Sequence, residues 1–190
     1  IGTDAGLSRV EGRSSALSAM TTGSSGSVLD KLVGTITEYQ VDLWIGTSDG
    51  LYLLSDGSTA LKPVSVDPQA PLADNYISDI IVDSRGWLWV STSQGVDILE
   101  SWNGEIAAFR SVNKALGLPP GNLGGAIEED RQGRIWIQSL LVDPNDWSYT
   151  RINRSDGWDV GNTWIGSNAR LKDGTILFGG TRGLMMVRPA

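Results

Sequence analysis

Apolar residues in this chain fall into short runs separated by Gly-containing turns. "LWIGTSDGLYLL" (43–54) reads as two strands around an Asp-Gly turn. The phrase returns as "LWVSTSQGVDIL" (88–99) and "ILFGGTRGLMMV" (176–187), with a degenerate copy, "IWIQSLLVDPND", at 135–146. The anchors are Trp44, Trp89, Trp136 and Leu177, so successive copies lie 45, 47 and 41 residues apart. The chain opens on "IGTDAGL", which aligns with the same phrase just after its Trp. A period of this length that carries several strands is that of a propeller blade.

The stretch before each anchor repeats as well. "NYISDIIVDSRGWLW" (75–89) aligns with "NLGGAIEEDRQGRIW" (122–136), and in both an Asp precedes a Gly by three and the Gly precedes the Trp by three. Asp83–Gly86 and Asp130–Gly133 are predicted as four-residue hairpin turns, capped by the Asp side chain and ended by Gly at positive φ. Asp49-Gly50 and Gln94-Gly95 make the next hairpin, and a variable fourth strand such as "IAAFRSV" (106–112) completes the unit. No helical periodicity runs beyond about one turn. The expected fold is all-β, a β-propeller of four-stranded antiparallel blades. The expected units are 1–27 (incomplete), 28–70, 71–117, 118–158 and 159–190 (lacking an outer strand). Blades cover one another on both faces, so Trp44, Trp89 and Trp136 are expected to fill the wedges between them. Gly46 and Ser91 would leave room for the next blade.

Composition narrows the chemistry. The 190 residues include 24 Gly and 8 Trp but neither Cys nor His. Without Cys there are no disulfides, thiol catalysis or Cys-based zinc sites. Without His, Ser-His-Asp chemistry and His-ligated zinc are excluded. The net charge of −7 and pI of about 4.5 speak against nucleic acid and anionic membranes as partners. No segment has the apolar length of a membrane span, so no direct membrane insertion is expected. The start lacks an initiator Met and a signal-peptide pattern, and the chain is expected to be a processed product or a fragment. No cofactor is expected.

"YISDIIVDSRGWLWVSTSQGVDIL" (76–99) resembles the two-component regulator propeller repeat, and "LWIGTSDGLYLL" (43–54) is similarly close. The C-terminal "SDGWDVGNTWIGSNARLKDGTILFGGTRGLMMVRP" (155–189) looks like that family's last blade. The first full unit departs from the pattern at Glu38 and Val41, and the last has Leu171 where the turn Asp belongs. The third carries Gln138-Ser139 in place of Gly-Thr and reads as inserting "LLVDPNDWSYT" (140–150). The resemblance implies the periplasmic sensor of a membrane receptor whose histidine kinase or diguanylate cyclase lies outside this chain. It also implies an oligosaccharide or small polar ligand in some members.

Inner-strand copies are expected at about 32–38, 77–83, 124–130 and 165–171. The expectation is four to five blades of a larger ring of about seven. Its exposed blade faces would meet a second copy or further blades of the same protein. The weaker alternative is closure by "SALSAMT" (15–21).

Counting fourteen residues back from each anchor gives Asp30, Asn75, Asn122 and Thr163. With Tyr76, Asn162 and Trp164 they are the candidate ligand-binding ring at one channel mouth, since amides and aromatics suit polar ligands. The plainer reading is that Asn and Asp cap the turn into each strand. Trp102, Trp147 and Trp158 sit in turns and are candidate aromatic contacts, although local packing is the commoner role. Trp102 precedes Asn103-Gly104, which suggests a type I′ hairpin. Glu128 and Glu129 are neighbours in a strand and face opposite ways, so they make no catalytic dyad. "DPND" (143–146) reads as a solvated turn. Sialidase-type Asp boxes space Asp and Gly by two, against three here. The expected function is ligand sensing and relay, with a protein-interaction scaffold as the alternative and a lyase or glycosidase propeller behind it.

Overall fold

The computed structural model describes residues 1–10, 17–23, 27–121 and 123–189. Five small sheets form five blades. The first holds β1 (Gly2–Thr3), β2 (Gly6–Val10) and β3 (Leu17–Ala19) in that order. The second holds β4 (Thr21–Thr22), β5 (Ser27–Val28), β6 (Val33–Tyr39), β7 (Asp42–Thr47), β8 (Gly50–Leu54) and β9 (Ala60–Pro63), ordered β5-β4-β9-β8-β7-β6. The third contains β10 (Ser65–Val66), β11 (Ile77–Val82), β12 (Leu88–Thr92), β13 (Val96–Trp102) and β14 (Ile106–Ser111), ordered β10-β14-β13-β12-β11. A single helical turn, α1 (Val112–Ala115), follows. The fourth blade is β15 (Ile127–Glu129), β16 (Ile135–Ile137), β17 (Leu140–Asp143) and β18 (Ser148–Arg151). The fifth is β19 (Thr163–Arg170), β20 (Ile176–Gly180) and β21 (Gly183–Val187).

Pairing within blades is antiparallel, but β4 joins β9 and β10 joins β14 in parallel at the outer edges. Leu17–Ala19 pairs with β2 and Thr21–Thr22 with β9, so the described part of "SALSAMT" serves the first two blades, not the last. Residues 15 and 16 lie outside the described set.

Each anchor Trp is buried against the following blade, as the wedge packing requires. Trp44 (1% exposed) packs with Ile77, Ile80 and Val90, and Trp89 (0%) with Ile127 and Ile135. Trp136 packs with Ile176 and Phe178. Gly46 faces the third blade so closely that an added Cβ would stand 2.6 Å from Ile77 Cγ2 and from Thr35 Cγ2.

Two local readings change. "LLVDPNDWSYT" is no insertion: it is β17, a turn and β18, the ordinary third and fourth strands of its blade. Gln138 at φ 50 makes the turn that Gly-Thr would otherwise lead into. The Asn103-Gly104 turn is also not type I′, which needs positive φ at both residues. Only Gly104 is left-handed, while Asn103 Oδ1 accepts from Glu105 N at 2.9 Å and Ile106 N at 2.7 Å.

Candidate functional site

The inner strands of four blades converge on one carboxylate. Asp79 lies on β11 at a bulge that shifts register after Ile77, a device that re-aims a side chain. Its Oδ1 accepts from Ile80 N (2.9 Å) and from Thr35 Oγ1 of β6 (3.4 Å). Its Oδ2 accepts from Ile127 N of β15 (2.9 Å) and from Asn168 Nδ2 of β19 (3.1 Å). Asn168 also donates to Ile127 O and to Glu128 Oε1, at 3.2 and 3.1 Å. Asp79 is buried, and burial raises its pKa against the pull of these donors. Burial raises that of Glu128 too, with Asn168 opposing and the Asp79 charge adding to the rise.

A cavity lies at each end of the strands that meet there. Below, a space of about 240 Å³ is lined by Thr37, Ile80, Ile81, Val82, Glu128, Glu129 and Arg170. Its two acids are each turned to a structural partner. Glu128 faces Asn168, and Glu129 takes Ser84 Oγ at 2.6 Å and Ser84 N at 2.9 Å. The opposite faces expected of these neighbours are therefore observed.

Above, at the heads of β11 and β15, a cavity of about 360 Å³ is lined by Tyr76, Ser78, Thr92, Ser93, Gln138 and Ile165, with Leu123 and the Gly124-Gly125 backbone. Ser78 Oγ donates to Ser91 Oγ at 3.0 Å and accepts from Gly125 N at 3.2 Å. Gly125 is left-handed at φ +92, and a Cβ there would collide with the Gln138 carboxamide. No charged side chain lines this mouth among the described residues. It offers hydroxyls, one carboxamide and two apolar walls, equipment for a neutral polar ligand. A larger cleft of about 450 Å³ between the first two blades is mainly apolar, with Ile1, Leu7, Val10, Met20, Ile36 and Ile45 among its lining, and offers less such chemistry.

Of the described residues expected at the mouth, the structure brings only Tyr76 to the cavity. Asp30, Asn75 and Asn162 are exposed outside it. Thr163 is half-buried and pairs with Gly180, and Trp164 is 62% exposed beside the lining residue Ile165. Asn122 lies outside the described residues. Sequence reasoning missed Ser78, Ser93, Gln138 and the Gly pair. The departure from the repeat at Gln138 and the doubled Gly heading the strand were the signals available.

The three turn Trp rings rest on the chain itself. Trp102 meets Trp44 edge-on at 5.3 Å, and Trp158 lies 5.3 Å from Phe178. Trp147 stacks on Trp87 at 6.4 Å, with the Arg110 guanidinium 4.9 Å from its ring.

Residues 71–94 match the family model described as Two component regulator propeller. The chain carries that repeat. No curated protein matches the sequence. The fold recurs in the extracellular domain of BT4673 from B. thetaiotaomicron, described as a one component system, with a TM-score of 0.74 at 18% identity. That match covers 99% of this chain and 28% of the other. A second structure of the BT4673 extracellular domain, described as a hybrid two component system, gives 0.72 at 22%, covering 99% and 24%. The extracellular domain of the hybrid two component system BT3049 from the same organism gives 0.59 at 20%, covering 99% and 32%. This chain thus spans about a quarter to a third of those chains. At such identities the likeness establishes the fold. No helix of the described residues is long and apolar enough to cross a membrane.

Proposed function

We propose that this chain is part of the extracytoplasmic, periplasmic sensor propeller of a bacterial signalling receptor. Its ligand is a neutral, hydroxyl-rich molecule of oligosaccharide type, bound at the mouth lined by Tyr76, Ser93, Gln138 and Ile165. The observation that carries the reading is an uncharged, hydroxyl- and amide-lined mouth whose floor residue, Ser78, neighbours the carboxylate shared by four blades. The repeat at 71–94 and the fold shared with extracellular receptor domains support it.

A ligand acts on a receptor only through contacts that differ between its states. Gln138 and Ser78 both touch Gly125, and Gly125 leads into Ile127, whose N–H binds Asp79. A ligand that moves either side chain therefore biases how the third, fourth and fifth blades meet. The kinase or cyclase that reads this bias lies outside the chain. The reading is non-catalytic, because the acids lining the lower cavity are already engaged and glycoside chemistry needs two facing one cleft.

Titration calorimetry against a panel of neutral oligosaccharides tests the reading. Gln138→Ala should weaken a binding member about tenfold or more by removing the half-buried carboxamide that the mouth offers to a polar ligand. A panel in which nothing binds, or binding that ignores Gln138, contradicts it.

The scaffold reading has its own observation. The last blade presents Trp164, Leu184 and Met186 to solvent at 62%, 64% and 49% exposure. Further blades of a larger ring, or a second copy, would cover such a face. A monodisperse monomer without hydrophobic-dye binding would count against it.

A further inference from the structure

One amide at the meeting point of the blades is asked for more hydrogens than it has. Asn168 Nδ2 stands 3.1 Å from Asp79 Oδ2, 3.2 Å from Ile127 O and 3.1 Å from Glu128 Oε1. A carboxamide nitrogen carries two hydrogens, so the three acceptors cannot all be satisfied while both carboxyls are ionised. The two acids are not equally placed to yield. Asp79 is held by three further donors, Ile80 N, Thr35 Oγ1 and Ile127 N. Glu128 has Asn168 as its one hydrogen-bond donor among the described residues. It is half-buried in the wall of the lower cavity, where solvent protons reach it. Asp79 of β11 repels its charge and Arg170 of β19 attracts it. Arg170 is shared, because its Nη1 donates to Glu129 O at 3.1 Å and stands 3.8 Å from Glu129 Oε2. Glu129, the next acid along β15, turns to Ser84, and β6 lines the cavity with uncharged Thr37. Burial outweighs Asn168 and Arg170 and leaves Glu128 easier to protonate than an exposed glutamate.

We propose that Asp79, Glu128 and Asn168 form a proton-operated clamp between the third, fourth and fifth blades, in which mild acid puts a proton on Glu128 and tightens the joint. The proton enters from solvent through the lower cavity and turns Glu128 from an acceptor into a donor. The two Asn168 hydrogens then serve Asp79 Oδ2 and Ile127 O, and the repulsion between the acids ends. A carboxyl that protonates more easily in the folded protein adds stability that is complete at low pH and lost as pH rises through its folded pKa. The clamp needs no ligand at the mouth, so its test stands apart from the oligosaccharide reading.

NMR on the isotope-labelled whole chain reads the clamp directly. The Glu128 side-chain carboxyl carbon should titrate above the ordinary glutamate range. Hydrogen-exchange protection of Ile127 N–H, corrected for the intrinsic rate, should rise about threefold or more as pH falls from about 7 to about 5. Glu128→Gln is neutral throughout and keeps a donor for Asp79. At neutral pH it should protect Ile127 N–H better than the parent chain does, with a weaker pH dependence. Asp97, whose carboxyl is also raised by burial, is the same in both chains, so the difference between them belongs to Glu128. Arg170→Gln removes the attracting charge and should move the Glu128 midpoint to higher pH. The proposal is overturned if Glu128 titrates in the ordinary range, or if Ile127 protection stays flat across that pH interval. It is also overturned if Glu128→Gln keeps the full pH dependence of the parent chain.

Discussion

The indole Nε1–H of Trp89 donates to Asp83 Oδ2 at 3.0 Å. The same carboxylate takes Arg85 N at 3.0 Å and Trp87 N at 2.8 Å on Oδ1. One blade on, Asp130 repeats the arrangement, with Trp136 Nε1 at 3.2 Å and Gln132 and Arg134 N–H groups at 2.9 and 3.0 Å. The turn Asp and the wedge Trp are therefore one device. The carboxylate shapes the hairpin and fixes the ring that packs on the next blade, which is why the motif needs both at a spacing of six.

Trp89→Phe keeps an aromatic ring but removes the donor and leaves a void. Both partners are buried, so the unfolding free energy should fall by about 2–4 kcal/mol. Urea denaturation measures it. A loss near zero would mean that the indole contact is incidental.

Asn168→Asp places a third carboxyl against Asp79 and Glu128, where an amide now donates to both. Unpaired buried charge is expensive, and the variant should lose about 3 kcal/mol at neutral pH. Both neighbours already have raised pKa values, so protonation relieves the repulsion. The defect should shrink as pH falls from 7 towards 5, and thermal melts across that range check the sign.

Gly46→Ala drives a methyl into Ile77 and Thr35 at the interface of the second and third blades. Overpacking of this kind costs about 1–3 kcal/mol. A chemical denaturation curve shifted to lower midpoint, with unchanged slope, is the expected result.

Burial pushes the Asp97 carboxyl up to about 6, with the Ala73 N–H and Lys114 opposing. A raised carboxyl pKa contributes stability that is complete below the unfolded value of about 4 and lost as pH rises through about 6. Asp97→Asn removes that dependence. The variant should match the parent near pH 4 and exceed it at pH 7 by up to about 3 kcal/mol. Equal stability at pH 7 would contradict the assigned burial cost.

The Trp anchors, the Asp-turn-Gly hairpins and the blade-length period were legible because they are local and repeated. The hub was not. Asp79 is one acid among many in "ISDIIVD", and its partners Thr35, Ile127 and Asn168 lie 44, 48 and 89 residues away. Counting back from the anchors also failed to find the mouth, for a structural reason. Register shifts occur at the heads of β6, β11 and β19, so a fixed count places Asn75 outside the cavity and overlooks Ser78.

Coupling between a neutral-ligand mouth and the Asp79 hub is tested by a two-dimensional NMR titration of the isotope-labelled chain with neutral oligosaccharides. Shifts are expected at Ser93, Gly124, Gly125 and the Gln138 side-chain amide, continuing to Ile127 N–H and the Asn168 side-chain amide. Shifts confined to the exposed Trp164 face, or mouth shifts that leave Ile127 and Asn168 unmoved, would contradict it.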